Sequence, residues 1–163
     1  SIDIIDDVNK KRISINGENN VKKYWEFENI DNIDNECIVT IQKVLKENVD
    51  LNEYGVRFSV NEEKSTSNFE NMLNNSNNKT FRLKNRYEIF TEDGLIRYDL
   101  TQVRQYKGKS FKNINPDKLN RIYEIEMEIL KPKNFNQMKT FTNSLLKNIY
   151  MILRIIRSNK RKF

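Results

Sequence analysis

A chain of 163 residues with 37% hydrophobic and 32% charged residues is long enough for one domain with its own core, and nine Phe and seven Tyr argue against disorder. With no His and one Cys, it excludes imidazole acid/base chemistry, Ser-His and Cys-His nucleophilic pairs, His-ligated zinc or iron, and any disulfide framework. Four glycines cannot build a phosphate-cradling loop, so any catalysis must run on carboxylates, Lys, Arg, hydroxyls and a hard metal ion, while a net charge of +6 suits an anionic partner.

The predicted elements are mostly strands separated by turn signals. Ile2 to Ile5 and Arg12 to Ile15 come first, then a turn at Asn16-Gly17-Glu18-Asn19. Val21 to Phe27, rich in aromatics, reads as a further strand, followed by Cys37 to Leu45 and by Val56 to Asn61 after Tyr54-Gly55. Residues 67–78 read as a short helix and an Asn-rich loop. Phe81 to Phe90 and Leu95 to Val103 form a hairpin around Thr91-Glu92-Asp93-Gly94, a strong turn sequence. A basic loop covers Tyr106 to Leu119, and Ile122 to Leu130 is the last strand. Apolar residues at helical spacing, among them Leu145, Ile149, Ile152 and Ile156, predict a helix over Asn134 to Ser158. No apolar run approaches a membrane span and nothing resembles a signal peptide, so an intracellular protein without membrane contact is expected.

Strand alternation sorts the charges. Arg82, Lys84, Arg86 and Glu88 share one face of their strand, against Phe81, Leu83, Tyr87 and Ile89. Arg97, Asp99 and Thr101 share a face of the next. Glu124, Glu126 and Glu128 share a face of the last, and Arg57, Ser59, Asn61 and Glu63 a face of an earlier one. A one-sided sheet with a solvated charged face is the ordinary explanation for any one of these strands. Rows of like charge are costly, however, unless something neutralises them. A divalent cation would neutralise the glutamate row and a polyphosphate the basic row. A closed barrel with a polar lumen would bring the rows together, its apolar outer face covered by helices and flanking segments. Three alternate glutamates offer hard oxygen ligands suited to Mg²⁺ or Mn²⁺.

Tyr123-Glu124-Ile125-Glu126-Met127-Glu128 resembles the C-terminal glutamate strand of the triphosphate tunnel metalloenzymes, in particular the RNA 5′-triphosphatase domain of mRNA-capping enzymes of large DNA viruses, related to the fungal enzymes. Phe81 to Tyr87 resembles the family's basic strand, Arg97 to Thr101 the strand after it, Tyr54 to Glu63 an earlier strand, and Lys11-Arg12-Ile13 one earlier still. The resemblance implies a mostly β (α+β) fold: an antiparallel eight-stranded triphosphate-tunnel barrel over residues 1–133, and a C-terminal helix and basic tail over 134–163 leading towards a guanylyltransferase domain. It implies metal-dependent removal of the γ-phosphate of triphosphate-ended RNA in mRNA capping, with Mg²⁺ or Mn²⁺ as cofactor. Glu124, Glu126 and Glu128 would lie on the metal wall. Lys84 and Arg86 would hold the β- and γ-phosphates, with Arg12, Arg57 and Lys43 contributing. Glu63 would be an acidic partner positioning metal or water, and Asp99 would orient a base or water, supported by Thr101. Arg82, Arg97 and Arg104 are expected at the rim or in structural roles. Triphosphate-ended RNA, free nucleoside triphosphates, and fused or associated guanylyltransferase and methyltransferase domains are the implied partners, in the host cytoplasm or the virion.

One departure bears on activity. The family carries a first Glu-x-Glu strand near the N-terminus, and no such pair precedes Arg12; Trp25-Glu26-Phe27-Glu28 has the spacing but comes too late. The expectation is therefore a chain lacking the first strand and half the metal ligands, with little or no activity by itself. Two other readings stay open: a tunnel-fold polyphosphate or nucleoside triphosphate hydrolase, and a non-catalytic module that binds RNA or phosphate.

Overall fold

The computed structural model describes residues 1–66, 78–130 and 135–160. The elements are β1 (Ile2–Asp6), β2 (Lys11–Ile15), α1 (Glu18–Phe27), β3 (Ile38–Leu51), β4 (Val56–Ser65), β5 (Lys79–Phe90), β6 (Ile96–Gly108), β7 (Arg121–Ile129) and α2 (Phe135–Lys160). The seven strands form one sheet in the order β4-β3-β2-β1-β5-β6-β7. The helix expected within 67–78 falls almost wholly on residues outside those described.

The chain divides into two compact units, residues 1–47, 60–86 and 101–124, and residues 48–59, 87–100 and 125–163. In the first, β1 pairs antiparallel with both β2 and β5, and the register explains its core. Ile2 lies opposite Ile15 and Leu83, and Ile4 opposite Ile13 and Phe81. These side chains share one face and are buried with Val21 and Tyr24 of α1 and with Phe111. Each buried Ile contributes on the order of 1.5–3 kcal/mol by leaving water. Phe81 stacks on Phe111 at 5.3 Å between ring centroids, and Trp25 meets Phe111 edge-on at 4.3 Å.

The segment predicted as a strand at Val21 to Phe27 is helix α1. Val21, Tyr24 and Trp25 stand at i, i+3 and i+4, which suits a helix laid on a sheet better than alternation does. Gly17, at φ +88°, opens the turn into it. The Trp25-Glu26-Phe27-Glu28 sequence is accordingly no glutamate strand. Glu28 ends the helix, and its carboxylate accepts hydrogen bonds from the backbone of Phe111 and Lys112 and from Ser110.

The turn between β1 and β2 is held by Asp6, whose carboxylate accepts from the backbone of Val8 and Asn9 and from the Asn9 amide. Burial alone would raise its pKa, but the Asn9 and Val8 donors outweigh burial and hold it below the ordinary value.

In the second unit, the β5–β6 hairpin closes as predicted. Thr91 N–H donates to the Ile96 carbonyl at 3.0 Å, and Gly94 takes φ +66°. β6 runs on to Gly108, into the segment read as a loop, and β3 and β4 run to Leu51 and Ser65, beyond their predicted ends. Helix α2 is tied to β6 by the Tyr98 hydroxyl, which donates to Asn148 at 2.6 Å. No described helix is long and apolar enough to cross a membrane. The apolar side chains of β7 were expected to be covered, but Tyr123 and Ile125 are 71% and 72% exposed.

Candidate functional site: a buried cation cluster and a paired glutamate strand

The register that buries the isoleucines turns their neighbours to the other face. Asp3 lies opposite Ser14 on β2 and Arg82 on β5, and alternation places Arg12, Lys84 and Arg86 on the same face. A polar face results, on which three of the predicted phosphate ligands meet: Arg12, Lys84 and Arg86.

Lys84 is the centre of this cluster. Its side chain is 8% exposed, and its ammonium stands 2.5 Å from Oδ2 of Asp3, which is fully buried. The other Asp3 oxygen accepts from the Ser14 hydroxyl at 2.7 Å. Burial lowers the Lys84 pKa, Asp3 raises it, and the positive charges of Arg86 and Arg12 lower it further, with a net shift downwards. Cations pressed together against desolvation are a standing receptor for a multiply charged anion.

Glu63 stands 3.7 Å from Arg12. Lys43 shares the Arg12 face by alternation from Ile41, which lies opposite Arg12, but it is exposed. Arg57, expected among the phosphate ligands, pairs in the second unit with Asp50 at 2.6 Å on an exposed surface across the β3–β4 hairpin.

The glutamate strand also differs from expectation, in what neutralises it. Arg82 grips both oxygens of Glu124, at 2.6 and 2.5 Å. Within the second unit, Arg97 donates to both oxygens of Asp99, at 2.8 and 3.1 Å, and also to Glu128. Its pKa is raised, first by the Asp99 hydrogen bonds, with Glu128 and Glu88 adding to the effect against burial. Glu124 and Glu128 are therefore matched by arginines, and charge segregation by itself does not require a metal. Arg82 and Arg97, expected at the rim or in structural roles, hold Glu124 and Glu128 in place. Arg104 pairs with Asp117 at 3.1 Å. Thr101, predicted to support Asp99, is 3% exposed and its hydroxyl has no hydrogen-bond partner.

Among the described residues, no group of three or more carboxylates could hold a metal ion. The donor type still fits. Mg²⁺ is commonly held by one or two carboxylates, with phosphate and water completing its shell. Glu126 and Glu128, two apart on β7, supply that minimum.

Asp3 is the member of the cluster that sequence reasoning missed. Its signal lay in Ile2-Asp3-Ile4, where the carboxylate alternates with core isoleucines and a hairpin sets it opposite Ser14.

Among curated proteins none matches this sequence. A solved structure, the capping enzyme triphosphatase of Mimivirus, has the same fold, with a TM-score of 0.59 over 93% of this chain and 72% of that one at 20% identity. A family model described as the mRNA capping enzyme beta chain matches residues 31–160. The resemblance read from the strand motifs is correct, and the chain belongs to the mRNA capping enzyme beta-chain family of triphosphatases.

Proposed function

We propose that the protein removes the γ-phosphate from triphosphate-ended RNA, using Mg²⁺ or Mn²⁺. The observation that carries this reading is the cluster of Arg12, Lys84 and Arg86 on one face, with Lys84 buried against Asp3. Water attacks the γ-phosphorus, the bond to the β–γ bridging oxygen breaks, and diphosphate-ended RNA and orthophosphate leave. Negative charge grows on the bridging oxygen as that bond breaks. Lys84 and Arg86 stabilise it, and Arg12 holds the remaining phosphate oxygens. Glu126 and Glu128 would hold the metal ion, which when bound neutralises phosphate charge. Arg97 orients Glu128, and Asp99 locks Arg97 by a two-point contact. Free nucleoside triphosphates present the same phosphates and are expected to react as well. The partners in this reading are the guanylyltransferase and methyltransferase activities that complete a cap.

The test follows label from γ-labelled triphosphate RNA with the full-length protein. Orthophosphate and diphosphate-ended RNA are expected with Mg²⁺ or Mn²⁺, and neither in the presence of a chelator. Release of pyrophosphate, or release that ignores the chelator, contradicts the reading. RNA binding without release favours a phosphate-binding module.

Arg97→Gln is expected to leave Asp99, 1% exposed, without its guanidinium contacts, at a cost of about 3 kcal/mol in chemical denaturation. A loss under about 1 kcal/mol would show that the contacts are dispensable to the fold.

A further inference from the structure

We infer that Asp3 is the positioning residue for Lys84: its buried carboxylate, held by Ser14, fixes the ammonium where a phosphate oxygen meets it. The inference rests on the reading of Lys84 as a phosphate ligand. It adds a residue, on the strand next to β5, that the glutamate and basic strand motifs do not contain.

Geometry is the first support. Asp3 is fully buried, and its two oxygens are divided between two neighbouring strands, Oδ1 to the Ser14 hydroxyl at 2.7 Å and Oδ2 to the Lys84 ammonium at 2.5 Å. A lysine stem has four rotatable carbons, and a point charge on such a stem is not held in place by packing alone. With Asp3 on one side, the ammonium loses most of its alternatives before any ligand arrives. The ordering entropy is then met in folding rather than in binding.

Electrostatics is the second support. Among the described side chains, the charged groups acting on Lys84 are Asp3 from β1, Arg12 from β2, which pairs with Glu63, and Arg86 from β5. Asp3 is the anion in contact with the ammonium. Burial, Arg86 and Arg12 all push the ammonium towards losing its proton, and Asp3 opposes them. The carboxylate thus keeps Lys84 charged, and the arginines keep the site as a whole attractive to a polyanion.

The experiment measures binding of inorganic tripolyphosphate to the full-length protein by calorimetry, without metal, from neutral to alkaline pH. Binding needs the ammonium, so wild-type affinity falls as pH rises through the Lys84 pKa. In Asp3→Asn the lowering influences remain and the raising one is gone. The midpoint of that fall is therefore expected about one pH unit or more lower, a loss of affinity of about fivefold or more at the wild-type midpoint. An unchanged midpoint overturns the inference, even if affinity drops at every pH. If Asp3→Asn fails to fold, Ser14→Ala serves instead: it leaves every charge in place and frees the carboxylate. Several-fold weaker binding at an unchanged melting temperature is expected, and unchanged binding overturns the inference. If the wild type binds no tripolyphosphate at all, the phosphate reading fails and takes this inference with it. Binding with an unaltered profile sinks the inference alone.

Discussion

Lys84→Met is expected to lower phosphate release about 10²–10³-fold and to destabilise the fold by about 3–5 kcal/mol, and adding Asp3→Asn is expected to restore the stability but not the activity. Two different debts are involved. Removing the ammonium leaves the Asp3 carboxylate fully buried without its cation, and an uncompensated buried charge is far costlier than a missing pair. Asn at position 3 removes the charge while its amide oxygen still accepts from Ser14. Methionine and asparagine together make a neutral, well-filled pair, so chemical denaturation should return close to the wild-type midpoint. Activity should not return, because no ammonium remains to meet the phosphate. Activity that recovers with stability in the double variant would mean that Lys84 serves the fold and not the ligand.

The strands and their faces were legible in the sequence because hairpin turns and alternation are local. Thr91 to Gly94 closes β5 on β6, and Arg82, Lys84 and Arg86 fall on one face as their spacing requires. Alternation gives the face but not the neighbour. It could not say that Glu124 would meet Arg82 and Glu128 would meet Arg97, so the acidic row looked as if it needed an outside cation. Position along a strand was equally hidden. Arg57 and Glu63 share a face of β4, yet one pairs with Asp50 and the other with Arg12. Helix α1 was misread because its aromatics suggested a strand, when the spacing of Val21, Tyr24 and Trp25 fits one face of a helix. Asp3 was invisible for a different reason. A lone carboxylate among isoleucines acquires meaning only when β2 and β5 are laid on either side of it.

Glu126 carries the second large effect. It lies between Glu124 and Glu128 on β7, and it is exposed. Truncating an exposed strand residue changes stability by about 0.5 kcal/mol or less, so a Glu126→Ala variant should unfold with the wild type. Its activity should nonetheless fall by a factor on the order of 10² or more, because it is one of the two carboxylates proposed to hold the ion that neutralises phosphate charge. A large kinetic effect with an unchanged fold is what separates a ligand from a solvated charge.

Single-turnover release of orthophosphate from γ-labelled triphosphate RNA, comparing the full-length protein with its Glu126→Ala variant in Mn²⁺, therefore tests the central claim most directly. The account predicts release by the wild type and its loss in a variant that remains folded and still binds tripolyphosphate at the Lys84 cluster. Equal release from both proteins would contradict it.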